Sequence, residues 1–259
     1  MPAEFQLSLA AVDILGEHLG VDIRQFPFEI PSVGHLLEDR ARIAESVWAD
    51  LTRRRLVHNG RLTGEVEQSV RMLAEFEIAV VVFGEIDGEP ILSRLATAGR
   101  FGVHAQKLDQ VLWLREIRPE SLARQAIGLI GDRHAGPGQS ITVRHEEPKR
   151  VEDDNSARTF SKPVRGSGDR ERRALRHLFD TPLLGSGGFL VLARDRLGRE
   201  TAAPPLSWLD TESGCYLVQH QPATDATPAT ETTSPADSAR LCQQLDKLIT
   251  AVQPSGPGR

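Results

Sequence analysis

Six residue types that serve in hydrolase active sites lie close together in the segment WLDTESGCYLVQH, which begins at Trp208. Cys215 and His220 could form a nucleophile–base pair there, with Asp210 as a further catalytic candidate. In a β-strand, however, successive side chains point to opposite faces of the sheet. Cys215 and His220 are an odd number of residues apart, so within one strand they point in opposite directions. The spacing therefore argues against catalysis.

The same segment has the pattern of a β-hairpin. Residues 211–214 stand where the turn is expected, and Gly214 can supply the positive φ that many hairpin turns require. Asp210 ends the incoming strand, while Tyr216 and Val218 share one face of the outgoing strand. The polar residues are thus predicted to build a turn. A hydrolase-like enzyme that uses the Asp, Cys and His of this segment is the alternative.

Other catalytic motifs are absent from the sequence. It contains no Gly-x-x-x-x-Gly-Lys-Ser/Thr phosphate loop and no Gly-x-Ser-x-Gly elbow. The glycine-rich run LGSGGF, from Leu184 to Phe189, precedes a strand and does not open a helix, which is the wrong context for phosphate binding. The eight histidines lack zinc-ligand spacing, and there is no Cys-x-x-Cys. We expect no catalytic residues, no metal and no cofactor.

Composition narrows the class of protein. The chain has 259 residues, of which 26% are charged and 39% hydrophobic, as in ordinary globular proteins. Its net charge of -5 argues against general binding to nucleic acids or membranes, although the Arg-rich stretch 165–176 keeps nucleic-acid binding as a third hypothesis. The N-terminus lacks the basic region of a secretory signal, and no apolar run approaches the roughly 20 residues that span a bilayer. We expect a cytoplasmic protein.

The first half of the sequence reads as helices followed by a strand meander. Ile43, Val47, Trp48 and Leu51 predict a helix that starts near Glu38 and ends at Asn59-Gly60. A second helix should follow, with Val66, Val70 and Leu73 on its apolar side. Four strand-like runs come next: IAVVVF, PILSRLATA, RFGVHAQ and QVLWLREI. Their short connections predict antiparallel pairing, and the helix RPESLARQAIGLI follows them.

The second half repeats this order in outline. A predicted helix, DRERRALRHLFD, carries Leu175, Leu178 and Phe179 and precedes the strands GGFLVLARD and CYLVQH. The closing helix should begin with a capping box at Ser234. Its apolar residues repeat the spacing of the helix in the first half: Leu122, Leu129 and Ile130 correspond to Leu241, Leu248 and Ile249. We predict an α+β fold of two related halves, with central antiparallel β-sheets flanked by helices about a quasi-twofold axis.

The predicted domain organisation is a single domain, 1–259. Its N-terminal half is 1–144 and its C-terminal half is 169–250. The mixed-charge stretch 145–168 is poor in apolar residues and is predicted to be a flexible linker. The Thr/Pro/Ala-rich stretch 222–234 is predicted to be a disordered low-complexity insert.

The order of these motifs resembles that of the EspG family, cytosolic chaperones of actinobacterial type VII (ESX) secretion. The resemblance rests on WADLTRRRLVHNGRL, the strands from EIAVVVF to LREI, the helix SLARQAIGLI, the stretch leading to QSITV, and SARLCQQLDKLI. In the family the late hairpin usually reads Asp-Thr, two variable residues, Gly, then Arg-Tyr. Asp210, Thr211, Gly214 and Tyr216 match this pattern, whereas Cys215 replaces the Arg. The resemblance covers nearly the whole chain.

This resemblance implies a non-enzymatic binding protein with a quasi-twofold α+β fold. Its partner would be a helical secreted substrate of PPE type, held in a PE–PPE dimer, and its own state would be monomer or homodimer. We expect the second-half sheet to bind the partner, with Phe189, Trp208, Asp210 and Tyr216 as candidates. The alternative is that these aromatic residues pack the core between sheet and helices.

Overall fold

The computed structural model describes residues 4–145, 182–224 and 227–253. Within these ranges the α-helices are α1 (Leu9–Leu19), α2 (Leu37–Arg53), α3 (Gly64–Ala74), α4 (Leu122–Gly128) and α5 (Ser238–Val252). The first seven strands are β1 (Glu4–Ser8), β2 (Val57–His58), β3 (Arg61–Leu62), β4 (Ile78–Ile86), β5 (Glu89–Ala98), β6 (Phe101–Leu108) and β7 (Val111–Glu116). The others are β8 (Ile141–His145), β9 (Leu183–Arg194), β10 (Glu200–Ala202), β11 (Leu206–Thr211), β12 (Gly214–Gln221) and β13 (Ala229–Pro235). The predicted helix 169–180, the Arg-rich stretch 165–176 and all but the first residue of the predicted linker lie outside the described residues.

One antiparallel sheet runs through the molecule, in the order β1-β7-β6-β5-β4-β9-β11-β12-β13-β8, and β10 pairs beside β11 on β9. The two halves of the chain meet where β4 pairs with β9, from Ile78 opposite Ala193 to Ile86 opposite Gly185. Both halves follow the same order. Each begins with a single strand, β1 or β8, and continues with a meander of antiparallel strands. The last strand of the meander, β7 or β13, then pairs with that first strand. This is the topology that the predicted quasi-twofold axis requires; superposition of the halves stays a prediction.

The sheet has two faces, and each carries its own core. Face A, defined by Leu7, Ala79 and Leu114, packs against α1, α2 and α3 in the first half. Face B, defined by Val80 and Phe189, packs against α4 and α5. Because α4 contacts β4, α5 contacts β9, and the two helices contact each other, the core on face B is shared by both halves. None of the described helices combines the length and apolar character needed to span a membrane.

The predicted meander in the first half is confirmed, as are α2 and α3, but α2 ends earlier than predicted. It stops at Arg53, and Asn59-Gly60 instead forms the turn of the β2–β3 hairpin. Both turn residues have positive φ, 50° at Asn59 and 72° at Gly60. Asn-Gly can end a helix, but it is also the strongest short signal for a β-hairpin, and here it forms the hairpin turn.

The boundary before the closing helix also differs from the prediction. Ala229–Pro235 forms β13, paired with both β12 and β8, so this part of the predicted disordered insert is an ordered strand. β-Branched threonines suit a strand once a neighbouring edge supplies hydrogen bonds. The predicted capping box at Ser234 is wrong, because Asp237 is the N-cap and its carboxylate accepts the backbone N–H of Arg240 at 2.8 Å.

Candidate functional site

The hairpin predicted around Trp208 is confirmed by the pairing of β11 with β12. Asp210 lies opposite Cys215 and Thr211 opposite Gly214, so the turn is Glu212-Ser213. The Thr211 hydroxyl donates to the carbonyl oxygen of Gly214 at 2.9 Å and accepts the backbone N–H of Ser213 at 3.2 Å. Gly214 is required because its φ is 123° and an added Cβ would lie 2.7 Å from backbone atoms of Gly136.

The candidate catalytic residues of this hairpin do not converge. Cys215 is buried on face B, and burial raises the pKa of its thiol to about 12, so the thiol stays protonated. His220 lies on face A of the same strand and is exposed. The carboxylate of Asp210 forms an ion pair with Arg133 at 3.3 Å. The geometry gives no support to the hydrolase alternative.

The four residues expected to bind a partner are all buried. Phe189 and Trp208 belong to the core between face B and the helices α4 and α5. Asp210 and Tyr216 retain only 4% exposure each, and the Tyr216 hydroxyl donates to the carbonyl oxygen of Pro137 at 3.0 Å. Their burial argues against direct contact with a partner. Phe189, Trp208 and Tyr216 pack in the interior, as large aromatic side chains usually do. Together with Asp210 they hold the hairpin in place.

A cleft at one end of the sheet is a better candidate. This end cleft, of about 1150 Å³, opens where β4 begins and β9 ends, between the start of α4 and the end of α5. Phe76, Ile78, Leu122 and Ile249 form its buried apolar floor. Its rim is polar and carries both charges: Glu75, Glu77, Glu120, Arg194, Asp195, Arg196 and Gln253.

One exposed leucine stands on the rim of the end cleft. Leu197, at the β9–β10 turn, is 77% exposed. Asp195 braces this turn: its carboxylate accepts the backbone N–H groups of Leu197 at 2.8 Å and Arg199 at 2.9 Å. These bonds, led by that of Arg199, lower the pKa of Asp195. Because these hydrogen bonds already order the turn, little backbone entropy would be lost if a partner covered Leu197, so this leucine is suited to be a contact residue.

The sequence analysis singled out neither Leu197 nor the end cleft. Isolated exposed leucines are common on protein surfaces, so the residue type alone was no signal. What distinguishes Leu197 is the cleft beside it, and that cleft forms from five distant segments of the chain. Among the described residues no group of His, Cys, Asp and Glu side chains could hold a metal ion. An apolar floor with a polar rim suits binding of a macromolecule.

Comparisons with known proteins identify a family and a similar fold. The sequence model of the EspG family matches residues 8–247. No curated protein matches the chain. Among solved structures, the chain is similar to the Mycobacterium tuberculosis type VII secretion system chaperone EspG5, solved in complex with the PE25–PPE41 dimer. The TM-score is 0.64 with 12% sequence identity over 99% of each chain, so the two proteins share a fold.

Proposed function

The chain belongs to the EspG family, and we propose that it is a cytoplasmic chaperone of a type VII (ESX) secretion system that binds a helical PE–PPE-type substrate and keeps it soluble. The observation that carries this proposal is the family match over residues 8–247. The similar structure supports it, because that chaperone was solved with a PE25–PPE41 dimer bound. Binding of this kind involves no catalysed reaction. The thiol of Cys215 is buried and protonated, which does not favour a role as a nucleophile.

The physical task of such a chaperone is to cover apolar surface. An apolar tip on a helical substrate would aggregate in water, and a partner that covers this tip removes it from contact with water. Covering it takes apolar anchors surrounded by a polar rim. We propose that the end cleft receives the tip, with its apolar floor and Leu197 as the contact residues.

Co-purification tests the function itself. The chain should be co-expressed with each PE–PPE-type pair encoded near its gene and run by size-exclusion chromatography. We expect one pair to co-elute with the chain and to stay in solution only in its presence. Failure of every pair to co-elute would count against the chaperone function.

A single substitution tests the site. Because Leu197 is highly exposed, Leu197→Ala should leave the fold intact. If Leu197 is an anchor, the variant should bind the substrate about five- to thirty-fold more weakly, the range that corresponds to about 1–2 kcal/mol. Isothermal titration calorimetry measures this change. Leu37→Ala is the matched control, since Leu37 is 88% exposed and lies away from the cleft lining.

The two experiments fail in different ways. If Leu197→Ala binds the substrate with wild-type affinity, the binding site does not lie at the end cleft. That result would not contradict the chaperone function. Equal weakening in the Leu37→Ala control would show that the effect is not specific to the cleft.

A further inference from the structure

An arginine is buried on face A in the first half of the sheet. Arg94 lies on β5 opposite Val81 of β4 and Ala105 of β6, and it retains only 1% exposure. Burial lowers the pKa of Arg94 to about 10, so the guanidinium is still charged at pH 7. Its Nη1 donates to the carbonyl oxygen of Phe26 at 2.9 Å. Its Nε and Nη2 have no hydrogen-bond partner among the residues that the structure describes.

Arg94 also contacts the aromatic ring of Phe76. The Cζ of Arg94 lies 4.7 Å from the ring centroid, and the Cζ of Arg194 lies 4.7 Å from the same centroid. Both distances are within the range of cation–π contacts, which are stronger when the two groups are kept from water. Phe76 retains only 2% exposure. Two guanidinium groups therefore hold one buried ring.

This ring connects Arg94 to the end cleft. Phe76 and Arg194 line the cleft, whereas Arg94 does not. The side chain of Arg194 is itself fixed, because it donates to the carbonyl oxygen of Ala74 and forms an ion pair with Glu200. Phe76 also belongs to the core on face A. Arg94 thus contacts the floor of the cleft from inside the protein, through a residue that the cleft and the core share.

Packing alone does not account for an arginine at this position. Replacing buried charged groups by apolar side chains of similar volume is often neutral or stabilising, because the apolar side chains need no charge partner. A methionine could fill the place of Arg94, but it would not offer a planar cation to the ring of Phe76. The guanidinium therefore adds a directional contact that an apolar side chain lacks.

We propose that Arg94 is a positioning residue of the end cleft, which together with Arg194 holds the ring of Phe76 in place in the cleft floor. A floor that is ordered before the partner arrives loses less entropy on binding. The effect on affinity rests on the proposed function of the cleft. The position of the ring does not, since it can be measured without a partner.

Fluorine NMR measures the environment of the ring in the full chain. The protein is made with para-fluorophenylalanine, and Phe76→Leu identifies the signal of Phe76 among those of the nine phenylalanines. We expect Arg94→Met to shift or broaden this signal. Arg115→Met is the matched control and should leave it unchanged, because Arg115 lies 5.1 Å from the ring of Trp113 and is not part of the cleft lining.

Affinity for the substrate is the second measurement. In isothermal titration calorimetry, Arg94→Met should bind the PE–PPE pair that co-elutes with the wild type about three- to tenfold more weakly. Arg115→Met should bind this pair as the wild type does.

An unchanged Phe76 signal in Arg94→Met would overturn the proposal. A changed signal with wild-type affinity would also overturn it, because the partner would then not depend on the position of the ring. If no pair binds the wild type, the chaperone function fails, and the fluorine signal still decides whether Arg94 positions the ring.

Circular dichroism checks that Arg94→Met folds. If it does not, Arg94→Lys keeps the positive charge without the planar guanidinium and should still change the Phe76 signal. An unchanged signal in that folded variant would likewise contradict the positioning role.

Discussion

Burial sets the protonation state of two residues in this sheet whose types suggest chemistry. The thiol of Cys215 has its pKa raised to about 12, and the imidazole of His104 has its pKa lowered to about 4. Both changes come first from desolvation, which disfavours the charged form of each group. At pH 7 both side chains are therefore neutral. They act as packing residues, with His104 edge-on to Trp113 and within 3.3 Å of the Ser93 hydroxyl.

His104 should make the stability of the protein depend on pH. Its pKa is lowered by burial and then by Arg115, so the unfolded chain binds a proton between about pH 6.5 and pH 4 that the folded chain does not. The contribution is present above pH 6.5 and is lost as the pH falls toward 4, at a cost of up to about 3 kcal/mol. Urea unfolding of wild type and His104→Gln at pH 7 and pH 4.5 measures it. The variant should lose less stability on acidification, and equal losses would contradict the prediction.

The start of α5 shows how one cap residue sets an element boundary. Asp237 caps the helix, whereas Ser234, the capping residue expected from sequence, lies three residues earlier in β13. Ser234 is buried, and its hydroxyl has no hydrogen-bond partner among the residues that the structure describes. Serine and aspartate are both good N-cap residues. Because β13 pairs with β12 and β8, Ser234 is part of a strand, and Asp237 becomes the N-cap instead.

Paired substitutions distinguish the two possible caps. Asp237→Ala removes the acceptor for the Arg240 N–H and should lower the free energy of unfolding by about 1 kcal/mol. Ser234→Ala should change it by about 0.5 kcal/mol or less, since the Ser234 hydroxyl makes no hydrogen bond within the described part of the chain. Urea denaturation at pH 7 compares the two variants. The reverse order of effects would show that the helix begins at Ser234.

Features with a local cause could be predicted from the sequence, and features built by distant pairing could not. The alternation and turn residues of WLDTESGCYLVQH predict its hairpin without knowledge of any other segment. By contrast, the strand Ala229–Pro235 has little apolar pattern of its own and depends on the edges it joins. The end cleft and the burial of Trp208 likewise depend on segments far apart in sequence. Neither the end cleft nor the burial of Trp208 can be located without the order of the strands in the sheet.

At the scale of the whole molecule, the two halves share one sheet and one of its two cores. The pairing of β4 with β9 continues the hydrogen bonding across the join without interruption. On face B, Val80 and Val82 from the first half pack in one cluster with Phe189 and Val191 from the second. Neither half could keep this cluster out of water alone. The halves should therefore unfold together, as expected for the predicted single domain.

A core substitution in the first half, away from the β4–β9 pairing, tests whether the two halves unfold together. Leu112 is buried on face A of the first half, whereas Trp208 is buried in the second-half core. In a variant whose only tryptophan is Trp208, made with Trp48→Phe and Trp113→Phe, the change Leu112→Ala should cost about 2–5 kcal/mol. If unfolding is concerted, Trp208 fluorescence and far-ultraviolet circular dichroism shift to the same lower urea midpoint, whereas the exposed-site control Leu37→Ala shifts neither. A Trp208 transition that stays in place while the circular dichroism curve splits would mean that the second half folds independently of the first.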